Sequence, residues 1–396
     1  MEPINVHELQ AVSRQSISNS ALGETEISSD HDQTPQEIEM RSLPPTDHGR
    51  EAYLVLAGCT IIQAPVWGYS LSFGVFQEYY TTHNNIQGSP GAIATVGTTL
   101  NGLMYLMMPL TFTVLTRYPR LRPYCGPVGL LIMVTSLILS SFAKEVWQLI
   151  ASQGVLCAIG SGLLFSPTTL YLDEWFIARK GMAYGTIWAG KSAAGVGFPF
   201  LMSALLSRFG ARTTLQAWAV TLISITSPLL FWLKPRIPLS ASVAQRPLAW
   251  SFLKSSTFWM MELGNVVQSF GYILPSSYLA SYAHTIGLST ITGAALLAVF
   301  SLASAPGGIV LGMIADRHKN TSEIMISSIG SSVAVFALWG LAEHVALLVL
   351  FAIAYGFFAG GFSSTYSGIL HQLKREDEGV DTGLVMGLLL GGKRGG

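Results

Sequence analysis

Ten long apolar runs, separated by short polar stretches, organise the chain from residue 53 onward. They lie near 53–78, 92–115, 124–143, 146–171, 181–206, 213–233, 256–282, 289–314, 322–342 and 344–370, and an eleventh begins at Gly383. An α-helix needs about 20 mainly apolar residues to cross a bilayer, and each of the ten supplies them. Backbone polar groups in lipid must be paired within their own segment, so the runs are expected to be helices. Most connections are short, which predicts antiparallel neighbours. The longest connection, 234–255, is rich in Pro and Ser and follows the sixth run. The predicted organisation is a disordered tail at 1–50, an N-terminal six-helix half at 51–233, a central loop at 234–255, and a C-terminal half at 256–396. That second half holds four full spans and a short eleventh helix. The run from Gly383 has ten apolar residues before Lys393 and Arg394. Ten residues make about 15 Å of helix, half of the hydrocarbon thickness, so this segment is not expected to span.

Composition agrees with the pattern. Of 396 residues, 50% are hydrophobic and 11% charged, against about 25% charged in a soluble domain. The formal net charge is +0, so no nucleic-acid partner is expected. The three cysteines, Cys59, Cys125 and Cys157, lie in apolar runs and read as small buried hydrophobes. The tail is different, with nine acidic and three basic residues in 1–50 and no apolar period, a composition of disorder. It has no basic start of the kind a secretory signal carries.

Orientation follows from the loop cations. With the tail inside, the inner side carries Arg14, Arg41, Arg50, Arg117, Arg120, Arg122, Arg179, Lys180, Lys234, Arg236, Arg246, Lys254, Arg317, Lys319, Lys374 and Arg375, and the outer side only Lys144, Arg208 and Arg212. The expected protein is therefore a multi-pass protein of the plasma membrane with a cytoplasmic tail. Its sequon Asn320-Thr321-Ser322 would lie inside and carry no glycan.

The two halves resemble each other. GMAYGTIWAG at 181–190 aligns with GLVMGLLLGG at 383–392, LTR at 115–117 with ADR at 315–317, and LFSPTT at 164–169 with GFSSTY at 361–366. The offsets are nearly constant, which points to a duplicated six-helix unit, the pattern of large secondary transporters. The same region contains GTIWAGKS, Gly185 to Ser192, a literal match to the phosphate-binding pattern G-x-x-x-x-G-K-[ST]. That pattern needs a strand before it and a glycine loop opening a helix. Here it lies inside an apolar run, so nucleotide binding is not expected. Small residues at this spacing suit close helix packing instead.

The chain resembles the major facilitator superfamily, and within it the fungal form of the monocarboxylate-porter branch. SFGVFQEYY at 72–80, WFIARKGMAYG at 175–185 and GMIADR at 312–317 carry the resemblance. It implies an all-α polytopic fold of two pseudo-symmetric six-helix halves, here truncated after about ten full spans, and transport by alternating access. The departures are informative. Leu71, Ser301 and Ala305 stand where proton–lactate members have Lys, Asp and Arg, and Thr116 stands where the first-half loop motif prefers Asp. Lactate transport is therefore not implied.

Polar residues in the apolar runs are the candidate pathway. Gln63, Trp67, Ser70, Gly74 and Gln77 share one helix face, as do Glu262, Asn265, Ser269, Tyr272 and Ser276, and as do Tyr184, Trp188 and Lys191. The alternative use of such stripes is interhelical hydrogen bonding. Lys191 is the one basic residue deep within a span, where a charge costs about 3 kcal/mol on insertion scales. It is expected either to meet an anionic cargo beside the aromatic rings or to pair with a carboxylate, with Glu262 nearest by depth. The substrate-pathway candidates are Trp67, Gln77, Trp188, Lys191, Asn265 and Tyr272. The gating candidates are Arg179, Asp316 and Arg317, with Asp316 expected to face the start of the fifth span near Gly181. The eight His and the Asp173-Glu174 pair form no metal spacing, so no metal, cofactor or catalytic residue is expected. The resemblance to the fungal form of the monocarboxylate-porter branch implies export of a small organic, weakly acidic specialised metabolite. Uptake of short monocarboxylates and a non-transporting sensor are the alternatives.

Overall fold

The computed structural model describes residues 43–83, 86, 89–237, 250–317, 320–376, 380 and 382–392. Residues 1–42 of the tail, most of the central loop, and Lys393 and Arg394 lie outside them, whereas residues 43–49, which composition assigns to the disordered tail, are described and place Asp47 in a buried position.

Helices appear where the apolar runs predict them. The first span is α1 (Arg50–Leu71) continued by α2 (Phe73–Thr82), followed by α3 (Pro90–Arg117) and α4 (Arg122–Ser140). The fourth span is α5 (Val146–Leu149), a π-helical segment (Ile150–Leu156) and α6 (Cys157–Trp175). The long helix α7 (Lys180–Trp232) carries the fifth and sixth spans and is broken at Gly210, whose φ of 75° belongs to glycine. Phe198 and Trp218 show that the chain turns back there. Along one straight helix they would lie about 30 Å apart, yet their rings are 5.0 Å apart.

The second half holds α8 (Ser256–Thr285), α9 (Thr290–Arg317), α10 (Asn320–Val333) with its π-helical end (Ala334–Trp339), and α11 (Val345–Gly360). A 3-10 segment, Gly361–Ser364, leads from α11 into α12 (Thr365–Glu376), and α13 (Thr382–Gly392) is last. Among the described residues, seven helices are long and apolar enough to cross a membrane by length and composition, with α7 counted once despite its two legs.

Gly185, which opens the false phosphate motif, and Gly181 just before it explain how the halves meet. A Cβ on Gly181 would lie 2.4 Å from the Gly312 carbonyl oxygen, and one on Gly185 would lie 2.2 Å from that of Gly308. The α7 and α9 backbones thus touch, a contact that only glycine permits, and the motif's amides belong to a helix rather than to a phosphate loop. The repeated glycines of α13 are used the same way: Gly387 and Gly391 pack on Pro109 of α3. Helix α13 is apolar all round and its Leu384, Val385, Met386, Leu389 and Leu390 are buried, as expected for a helix enclosed by others. Cys59 and Cys157 are buried and Cys125 half-buried, all as free thiols.

The halves differ on their outer faces. In the first, Leu233 packs on Gly58 of α1, and Leu230, from the second leg of α7, packs on Gly126 of α4. In the second, the described residues leave the matching face of α8 and α10 uncovered. A groove of about 1090 Å³ runs there, lined by Gly264, Val267, Gly271, Met325 and Phe336 among others.

Candidate functional site

A cavity of about 820 Å³ lies between the halves. Its wall takes Leu71 from α1, Tyr105 from α3, Trp188, Lys191 and Ser203 from α7, Ser269 and Tyr272 from α8, Ala294 to Ser301 from α9, and Gly360 at the end of α11. On α7 the lining begins eight residues after the helix starts, and on α9 it stops well before Arg317. The cavity therefore lies away from the end where α7 begins and α9 ends. That end carries most of the loop cations and is called the basic end below.

Lys191 is the charged group of this wall. Its Nζ sits 4.2 Å from the centre of the Trp67 ring and 5.2 Å from that of Trp188. The two indoles belong to one aromatic cluster, with Trp67 and Trp188 rings 6.0 Å apart, Tyr105 5.3 Å from Trp67, and Phe165 6.1 Å from Trp67. Trp67 is fixed by its own helix, because its indole N–H donates to Gln63 Oε1 at 2.8 Å. Indole faces attract a cation by about 2 kcal/mol or more where water is excluded. This lets an ammonium stay in an apolar span while one side of it faces the cavity. Across the cavity stand Tyr272 and Phe300, with rings 5.6 Å apart.

The residues predicted for the pathway thus divide. Trp188, Lys191 and Tyr272 line the cavity, and Trp67 backs Lys191. Gln77, on α2, is half-buried and is not part of the wall. Asn265 is fully buried with its side chain committed elsewhere: its Nδ2 donates to the Leu389 carbonyl at 2.7 Å, and its Oδ1 accepts from the Tyr366 hydroxyl at 2.8 Å. Asn265 therefore ties α8 to the backbone of α13, and polar spacing along α8 could not distinguish that use from cargo contact. Glu262 is absent from the wall as well. Leu71 and Ser301, the positions where proton–lactate members carry charge, both line the cavity. Sequence spacing missed Tyr105 and Phe165, which join the cluster from other helices.

The basic end is closed. The Asp316 carboxylate accepts from the backbone N–H of Gly181 at 2.6 Å and of Met182 at 2.8 Å. These amides are among the first four of α7, which a helix cannot pair itself, and its positive dipole end favours the anion. Beside this contact, Arg122 pairs with Glu174 at 2.6 Å and Lys180 with Asp173 at 2.8 Å. Glu174 Oε2 also accepts from the Arg236 amide at 3.1 Å, joining the ends of the fourth and sixth spans. Arg317 and Arg179 are exposed. The Arg179 guanidinium lies 3.5 Å from the Tyr53 hydroxyl. No group of His, Cys, Asp and Glu among the described residues could hold a metal ion.

Comparison with known proteins agrees with this architecture. The family model described as Major Facilitator Superfamily matches residues 56–391. An MFS-type transporter, pynF of Aspergillus niger, is 27% identical over 96% of this chain and 85% of its own length. The agnestins efflux protein AgnL12 of Paecilomyces divaricatus is 27% identical over 87% of this chain and 79% of that protein. The fujikurins efflux protein of Gibberella fujikuroi is 28% identical over 81% and 69%. The structure of the human organic anion transporter MFSD10 (TETRAN) superimposes with a TM-score of 0.57 at 16% identity, covering 87% of this chain and 91% of that one. This last likeness speaks for the fold alone. Fold, glycine-packed halves and family model converge: this chain belongs to the major facilitator superfamily.

Proposed function

We propose that the protein exports a small organic, weakly acidic specialised metabolite across the plasma membrane by alternating access. The acidic group of the cargo is received by Lys191, and its unsaturated body lies against Trp188, Tyr105 and Tyr272. The observation that carries this reading is an ammonium held over two indoles in the wall of a cavity shared by the two halves. The names of the agnestins and fujikurins efflux proteins support the direction and the class of cargo. With the basic end in the cytoplasm, as the loop cations predict, the structure is an outward-facing state. Asp316 on the α7 amides is then the gate that keeps the cytoplasmic side shut, flanked by Arg317 and Arg179. Uptake of a short monocarboxylate fits less well. A cavity of about 820 Å³ is far larger than a three-carbon acid, and Leu71 and Ser301 put no charge in its wall.

The test is transport in inside-out vesicles with radiolabelled aromatic and polyketide-type carboxylic acids. Lys191→Met is expected to abolish accumulation of the acid that wild type moves, while expression and melting temperature stay at the wild-type level. Normal transport by Lys191→Met would end this reading.

A further inference from the structure

Gly181 and Met182 can meet Asp316 only if the start of α7 is held in place, and a second carboxylate sits directly before it. Asp47 lies three residues ahead of α1, in the stretch that composition assigns to the tail, yet it is only 5% exposed. Its Oδ1 accepts from the amides of Ile177 at 3.0 Å and Arg179 at 2.8 Å, and its Oδ2 from that of Ala178 at 3.0 Å. Its own amide donates to the Trp175 carbonyl at 2.9 Å. Its φ of 61° is left-handed, a conformation that a non-glycine residue keeps only when its surroundings hold it there. The segment around it is anchored too: the Pro44 carbonyl accepts from Arg236 Nε at 2.9 Å, and Tyr53 packs edge-on against Phe176. Two carboxylates thus take five amides between residues 177 and 182. Asp47 takes three from within the N-terminal half, and Asp316 takes two from across the interface.

We propose that Asp47 is a positioning residue of the cytoplasmic gate. It shapes the 177–179 loop so that the Gly181 and Met182 amides are presented to Asp316. The Asp47 contacts stay within one half and persist through the transport cycle, whereas the Asp316 contacts break whenever the cytoplasmic side opens. Without Asp47, three loop amides lose their acceptor, the start of α7 loosens, and Asp316 loses the geometry of its target. The inference rests on the reading of Asp316 as a gate.

The experiment measures labelling of single cysteines placed on the cytoplasmic and the outer side of full-length protein in membranes, together with melting temperature. It compares wild type, Asp316→Asn, Asp47→Ala and the double variant. Asp316→Asn and Asp47→Ala are each expected to raise the cytoplasmic-to-outer labelling ratio about two- to fivefold, the population shift that corresponds to a helix-terminus interaction. The double variant is expected to match the single ones, because both residues act through the same amides. If Asp316→Asn shifts the ratio and Asp47→Ala lowers only the melting temperature, or if the two effects multiply, the positioning role is wrong and the gate stands. If Asp316→Asn leaves the ratio unchanged, the gate itself is refuted and the positioning role falls with it. Should Asp47→Ala fail to fold, Asp47→Asn keeps the side-chain shape with one carbonyl oxygen. It is expected to shift the ratio less and in the same direction, and an unchanged ratio would overturn the proposal.

Discussion

The two halves share a packing plan and divide the chemistry unequally. Both place glycines where a helix crosses to the other half, at Gly181 and Gly185 on α7 and at Gly387 and Gly391 on α13. Yet Lys191, Trp67 and Trp188 all come from the first half, as do both ion pairs found among the described residues, Arg122 with Glu174 and Lys180 with Asp173. The second half contributes a wall of Tyr272, Phe300 and Ser301, and Asp316 to the gate. At the start of α10, close to where Arg122 stands in α4, it has Glu323, which is fully buried with no hydrogen bond to either carboxylate oxygen among the described residues. Small residues that let backbones touch are thus common to both halves, while the cavity's cation and the ion pairs among the described residues are placed in one. Helix packing tolerates few substitutions at a contact, whereas a cavity needs its cation only once.

Introducing side chains at the shared glycines is expected to give the largest effect and to show whether the two interfaces are equally tight. A Cβ at Gly185 would meet backbone at 2.2 Å, whereas one at Gly387 would meet Pro109 at 3.0 Å. Gly185→Val should cost more than the 1–3 kcal/mol of ordinary overpacking, about 4 kcal/mol or more, and prevent closure of the basic end. Gly387→Val should cost about 1–2 kcal/mol. Thermal unfolding in detergent would show both, and equal losses would contradict the asymmetry.

The charges sharpen the same contrast with opposite signs. Arg122→Ala leaves Glu174 without its cation in a largely buried site and is expected to destabilise by about 3 kcal/mol. Glu323→Leu removes a buried polar group that has no partner among the described residues and should be neutral or stabilise by about 1 kcal/mol. A melting temperature that falls for Glu323→Leu as it does for Arg122→Ala would mean that the second half uses its carboxylate as the first does.

The spans were legible because each is an apolar run of the length that lipid imposes. The α7–α9 contact was legible in part, because Asp316 was expected to face the start of the fifth span near Gly181, while Gly308 and Gly312 carried no signal of their own. Lys191 was legible because a lone cation in such a run has few uses. Other features depend on partners far away in sequence. Asn265 donates to a carbonyl 124 positions away, and Asp47 accepts from amides about 130 positions away. An acidic, serine-rich tail hides such a residue, because its neighbours carry no periodic signal. Gln77 shares the helical spacing of the Trp67 stripe and still misses the cavity.

The central claim is that Lys191 and its two indoles recognise an acidic cargo. The most direct measurement is binding to purified protein in lipid nanodiscs, comparing an aromatic carboxylic acid with its neutral amide through quenching of tryptophan fluorescence. Wild type is expected to bind the acid about tenfold more tightly, the ratio that corresponds to 1.4 kcal/mol. Lys191→Met is expected to bind acid and amide alike while melting at the wild-type temperature. Equal affinities in wild type, or a preference for the acid that survives in Lys191→Met, would contradict the account.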